Sequence, residues 1–73
     1  MMRINVKLKL KIIEKYRSQA DLAAQARVSE PRISRILWQR VAPTEREIKL
    51  ICRALQCEPD EVGLHKNNIE NRG

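Results

Sequence analysis

The chain predicts an all-α fold, a compact bundle of about five short helices. Three observations carry that expectation. Seventy-three residues can build only one small core, which excludes barrels and doubly wound sheets. Two glycines and three prolines are too few for a β-rich chain full of turns. Ser18, Ser29 and the Thr44–Glu47 pair, all residues that start helices, each stand at the head of a segment with helical apolar spacing.

The elements follow in order. At the N-terminus Ile4, Val6, Leu8, Leu10 and Ile12 alternate with polar residues, as in a strand. Leu8, Ile12, Ile13 and Tyr16 also keep helical spacing, and Lys and Leu favour helix, so a first helix is expected from about Val6 to Tyr16, with residues 1–5 open to an extended start. Ser18 caps a second helix that runs through Ala26, and Asp21 complements the positive end of its dipole. After a break at Arg27–Val28, Ser29 caps a third helix reaching about Trp38. Its first turn holds Glu30 and Pro31, where proline is tolerated because those amides lack helical partners.

Residues 39–43 form a loop closed by Pro43. Thr44 and Glu47 make a capping box at the head of a fourth helix that extends to about Gln56. Ile48, Ile51, Cys52 and Leu55 give it one apolar face, and Leu50, Ala54 and Cys57 give it another, so it is expected at the centre of the bundle. Glu58–Pro59 opens a last short helix ending near Gly63. Residues 1–64 then make one domain, and the polar, aperiodic stretch 65–73 reads as a tail.

The net charge of +6 is unevenly placed. Residues 1–43 hold ten bases and three acids, a net of +7, whereas residues 44–73 hold five bases and six acids, a net of −1. A one-sided basic domain is a surface for polyanions, usually nucleic acid, or simply a basic solvated face. Tyr16 and Trp38 are the only aromatics, which argues against base-stacking platforms. One histidine and two cysteines give no metal spacing, and no cofactor is expected. Cys52 and Cys57, five apart on a helix, are expected to point to different sides and stay reduced. With no glycine-rich loop and no paired carboxylates, an enzyme is not expected. No apolar run is long enough to span a bilayer and no signal peptide is visible, so the expected setting is cytoplasmic and nucleoid-associated.

The informative stretch is residues 19–38, QADLAAQARVSEPRISRILW. Two short helices joined by three residues must cross steeply, and their contact needs a small residue, which Ala23 supplies. Leu22, Ala26, Val28, Ile33 and Ile36 supply an apolar ring around it. This arrangement resembles the helix-turn-helix pattern, here residues 18–38.

From Leu8 to Leu64 the chain resembles the lambda-repressor/Cro type of helix-turn-helix domain. The matching features are Ser18-Gln19, Leu22-Ala23, Val28-Ser29, Ile33-Ser34-Arg35-Ile36, Pro43-Thr44, Ile48, Ile51, Ala54-Leu55 and Pro59-Asp60-Glu61-Val62. The resemblance implies a five-helix bundle that binds double-stranded DNA, commonly as a homodimer on a near-palindromic operator, and that regulates transcription as phage-like repressors do. The sequence departs from it at Arg17, Arg27 and Gln39, where the family often has glycine at helix ends and turns.

The resemblance also implies site residues. On a helical wheel Ile33, Ile36 and Leu37 face the core, so Pro31, Ser34, Arg35 and Trp38 lie on the opposite side. The N-terminal half of the third helix would enter the major groove. Glu30, Pro31 and Arg35 then fall at base-reading positions, and Arg32 is close to either a base or a phosphate. Arg35 can make two bonds to guanine or meet a phosphate; Glu30 can accept from cytosine or repel phosphate in wrong registers. Ser18, Gln19, Arg27, Ser29, Ser34 and Arg40 are the expected backbone contacts, with Ser18 and Ser29 caps in the first place. Lys9, Lys11 and Lys15 mainly solvate the first helix. Trp38 has three possible settings: the following loop, a dimer partner, or the sugar-phosphate wall.

Two functions from different classes remain. One is a sequence-specific DNA-binding regulator, with repression expected and no small-molecule ligand. The other is a protein-interaction module of antitoxin type, whose clue would be an exposed Leu50–Ala54–Cys57 face.

Overall fold

The computed structural model describes residues 3–64. It contains four α-helices, α1 (Val6–Lys15), α2 (Gln19–Ala26), α3 (Glu30–Leu37) and α4 (Glu45–Leu55), and no strand among the described residues. The expected fifth helix is a single 3₁₀ turn, Pro59–Val62. The polar stretch expected as a tail lies outside the described residues.

The starts of the helices follow from local chemistry. Ser18 Oγ accepts the Asp21 amide at 3.2 Å, and Ser29 Oγ accepts the Arg32 amide at 3.4 Å. Thr44 and Glu47 bond each other's backbone amides at 3.1 and 2.8 Å, a complete capping box. At α1 the alternating pattern resolves as helix because Asn5 caps it, its Oδ1 accepting the Leu8 amide at 3.1 Å. Asn5 does more than cap. Its Nδ2 donates to the Val62 carbonyl and its backbone amide to that of Leu37, so one residue joins α1 to the 3₁₀ turn and to the end of α3.

The ends of three helices share one device. At α2, α3 and α4 an amide bonds back to the carbonyl five residues earlier: Val28 to Ala23, Arg40 to Arg35 and Cys57 to Cys52. This is the Schellman closure, and it needs a left-handed residue just before the donor. Arg27 (φ 61°), Gln39 (φ 58°) and Gln56 (φ 56°) take that conformation without being glycine. Arg27 and Gln39 are two of the three places where the resemblance has glycine. Arg17, the third, is not left-handed, because α1 ends differently, at an extended Tyr16.

The closure at α4 corrects the expectation for the cysteines. Cys57 lies past the helix, folded back so that its amide bonds to the Cys52 carbonyl at 3.1 Å. Both are free thiols, and burial pushes Cys52 up to about 12 and Cys57 upward too.

The core is one cluster. Leu8 and Ile12 enter it from α1, Leu22 from α2, Ile33 and Leu37 from α3, Ile51 and Leu55 from α4, and Val62 from the 3₁₀ turn. α2 packs on both α3 and α4, so the two helices joined by the short turn are fixed by a third. Burying these eight side chains almost completely is worth about 1.5–3 kcal/mol each against exposure, before conformational entropy is subtracted. Tyr16 sits at the core edge and donates its hydroxyl proton to the Ala54 carbonyl at 2.6 Å, tying the end of α1 to α4. Leu50, Ala54 and Cys57 pack against the core and do not form an open face.

Candidate nucleic-acid interface

α2 and α3 are joined through Arg27, Val28 and Ser29. Their crossing is lined by Leu22, Ala23, Ala26, Val28, Ile33 and Ile36, every one of them buried. Ala23 is the donor of room: it is 7% exposed and its carbonyl accepts the Val28 amide. The Schellman closure thus places Val28 over Ala23, and this contact sets the angle at which α3 leaves the turn.

With Ile33, Ile36 and Leu37 turned inward, α3 presents Glu30, Pro31 and Arg35 outward, all exposed, and Trp38 follows as the C-cap at 42% exposure. Pro31, Ser34, Arg35, Trp38 and Arg40 line one open hollow of about 540 Å³. Arg40 belongs to it because of the helix end. The left-handed Gln39 turns the chain back, and the 2.8 Å bond from the Arg40 amide to the Arg35 carbonyl sets two arginines side by side. Neither guanidinium has an ion-pair partner among the described residues.

Arg32 is placed differently. Its Nε donates to Glu47 Oε2 at 2.6 Å and its Nη2 to Glu47 Oε1 at 3.0 Å. The carboxylate therefore serves Arg32 and the Thr44 amide together, binding α3 to the head of α4. The hydrogen bond to Arg32 is the main reason that Glu47 sits below the usual carboxylate range, and the same bond raises Arg32. This geometry makes Arg32 a tie between helices in the free protein.

The remaining candidates distribute around α3. Ser18 and Ser29 spend their hydroxyls on the two helix caps. Gln19 and Ser34 are half-buried at the start of α2 and on the flank of α3. Arg27 is exposed at the turn and borders a second hollow of about 430 Å³ with Ser29, Arg32 and Arg46. The sequence reading did not single out Arg46. It stands in the first turn of α4, nineteen positions from Arg27, and only the packing of α4 on α2 brings them to one hollow. Asn5 was also missed, since a lone asparagine before an ambiguous segment carries no distinctive signal.

The model of the helix-turn-helix family, Cro type, matches residues 7–62. The chain belongs to that family. Searches of curated proteins and of solved structures return no match. The match runs from the second residue of α1 through the 3₁₀ turn, so α2, α3, α4 and the site lie inside it. This helix-turn-helix chain is a DNA-binding regulatory domain. No helix among the described residues is long and apolar enough to cross a membrane.

Proposed function

We propose that this chain is a sequence-specific regulator of transcription of the Cro/repressor kind, which reads the major groove of double-stranded DNA with α3. The observation that carries the reading is the outward face of α3. Pro31 and Arg35 stand exposed on the motif helix, and the Arg35 guanidinium is unclaimed by any carboxylate among the described residues. Arg35 is the base reader, forking onto guanine O6 and N7, and Glu30 and Pro31 at the helix head complete the readout. Gln19, Arg27 and Arg40 hold the flanking phosphates, with the cap residues Ser18 and Ser29 and with Ser34 beside them. Arg32, held by Glu47, contributes by fixing α3 against α4, and reaches DNA only with its remaining N–H donors.

One short helix reads few base pairs and buries little surface, so two copies act together on a near-palindromic operator, their α3 helices about 34 Å apart. Selection of bound fragments from random DNA tests the reading directly. Enriched fragments should carry a repeated half-site and show two protected patches one turn apart. A pool that never enriches at low salt would overturn it.

A second reading, docking of a protein partner, draws on a different place from the one the sequence suggested. Val6, Leu10 and Ile13 follow one another at helical spacing on the outer side of α1 and are 56%, 60% and 59% exposed.

A further inference from the structure

We infer that Trp38, with Arg40, forms a contact for one phosphate and its deoxyribose on the DNA backbone, next to the base-reading Arg35. The inference deepens the proposed function and rests on it.

Three features of the α3 end point to an anionic ligand. First, the Schellman closure juxtaposes Arg35 and Arg40, two like charges with no carboxylate set between them. The negative end of the α3 dipole offsets part of that repulsion, and an incoming anion would offset the rest. Second, Trp38 lines the same hollow, and its indole N–H has no acceptor among the described residues. Third, a large aromatic at 42% exposure leaves apolar ring surface in water within a basic setting. A phosphate supplies acceptors for the indole N–H and for Arg40. The sugar attached to it supplies a flat apolar surface for the ring. No small inorganic anion supplies both.

Position along the helix distinguishes this contact from base reading. Pro31, Arg35 and Trp38 follow each other at i, i+4 and i+7, so they share one stripe of α3. In the proposed docking the N-terminal half of α3 lies deepest in the groove. Trp38, at the far end, then meets the groove wall, where the sugar-phosphate chain runs. The contact carries no sequence information, and it fixes the depth and register from which Arg35 reads.

Trp38 is the only tryptophan, so its fluorescence tests the inference in the unaltered protein. Fluorescein-labelled duplexes are used, one carrying the selected half-sites and one of random sequence, with binding followed by anisotropy. In the same titrations, acrylamide quenching of Trp38 should fall severalfold on saturation with either duplex. Trp38→Ala should weaken both duplexes by about the same factor, roughly tenfold, as expected for losing a hydrogen bond to a charged group. Trp38→Phe, which keeps a ring and loses the donor, should fall between. Circular dichroism of both variants should match the parent protein, since the side chain is on the surface.

Binding by anisotropy with Trp38 as accessible to acrylamide as in the free protein would overturn the inference and leave the DNA reading intact. A loss confined to the selected duplex would also overturn it, by making Trp38 a base contact. No anisotropy change on either duplex at low salt would remove the DNA reading itself.

Discussion

The ends of α2 and α3 are built by the same backbone closure and put to opposite uses. At α2 the closure stacks Val28 on Ala23, both buried, and the product is a fixed crossing angle. At α3 it stacks Arg40 beside Arg35, both exposed, and the product is a concentrated positive charge. The difference teaches that a helix terminus specifies only which two side chains meet. Whether their meeting stabilises the fold or prepares it for a ligand depends on the side chains and on what packs around them. The same contrast separates Arg32 from Arg35. They are three residues apart on one helix, yet Glu47 reaches only the first.

The strongest way to break this division is to overfill the α2 end. Ala23→Leu should destabilise the domain by about 1–3 kcal/mol or more, because the crossing leaves no room for the added side chain. Thermal unfolding should show a midpoint lowered by many degrees, and an unchanged midpoint would mean that α2 and α3 do not cross at Ala23. DNA binding should fall with stability, since α3 loses its orientation.

Substituting the α3 arginines one at a time sharpens the division. Arg35→Ala should leave the midpoint near that of the parent and weaken specific binding by about 1–3 kcal/mol, flattening preference at one base pair. Arg32→Ala should do the reverse, lowering the midpoint while base preference is kept. Equal loss on specific and random DNA for Arg35→Ala would assign that residue to a phosphate.

A smaller effect tests the closure itself. Arg27 is left-handed, which costs an L-residue on the order of 1 kcal/mol relative to glycine. Arg27→Gly should therefore raise the thermal midpoint. It should also weaken all DNA modestly, with a salt slope smaller by about one unit, if the side chain meets a phosphate. A variant that is less stable and keeps full affinity would contradict both halves.

The smallest effect is the pH dependence of the α3–α4 tie. Glu47 is held below the usual carboxylate range by Arg32, so its ionised form is favoured in the folded state. Its contribution is therefore fully present above the unfolded carboxylate value, about 4.3, and is lost as pH falls through the lower folded value. Thermal midpoints measured from neutral pH down to about pH 3 should decline less steeply for Glu47→Gln than for the parent. Parallel curves would show that the pair adds nothing to stability.

Much of this molecule was legible in the order of its residues, because helix starts are local events. Ser18, Ser29 and Thr44 with Glu47 each cap a helix within four residues of chain, so each boundary could be read without the rest of the fold. The inward and outward faces of α3 follow from spacing alone, and so does the need for a small residue at Ala23. Three features waited for the tertiary structure, and each depends on groups far apart in the chain or on a backbone reversal. Arg32 reads from the sequence as reaching a base or a phosphate, and its bond to Glu47, fifteen residues on, is set by the packing alone. Cys57 read as a helical residue facing away from Cys52 until the left-handed Gln56 folded it back. The first helix is expected from about Val6, but its anchoring is not, since Asn5 bonds to Val62 and Leu37, partners that no local pattern can supply. Sequence by itself determined where helices begin and which face each one buries, since both depend on neighbours within two turns. Tertiary structure decided which charges stay free, since that depends on which distant carboxylate the packing brings within reach.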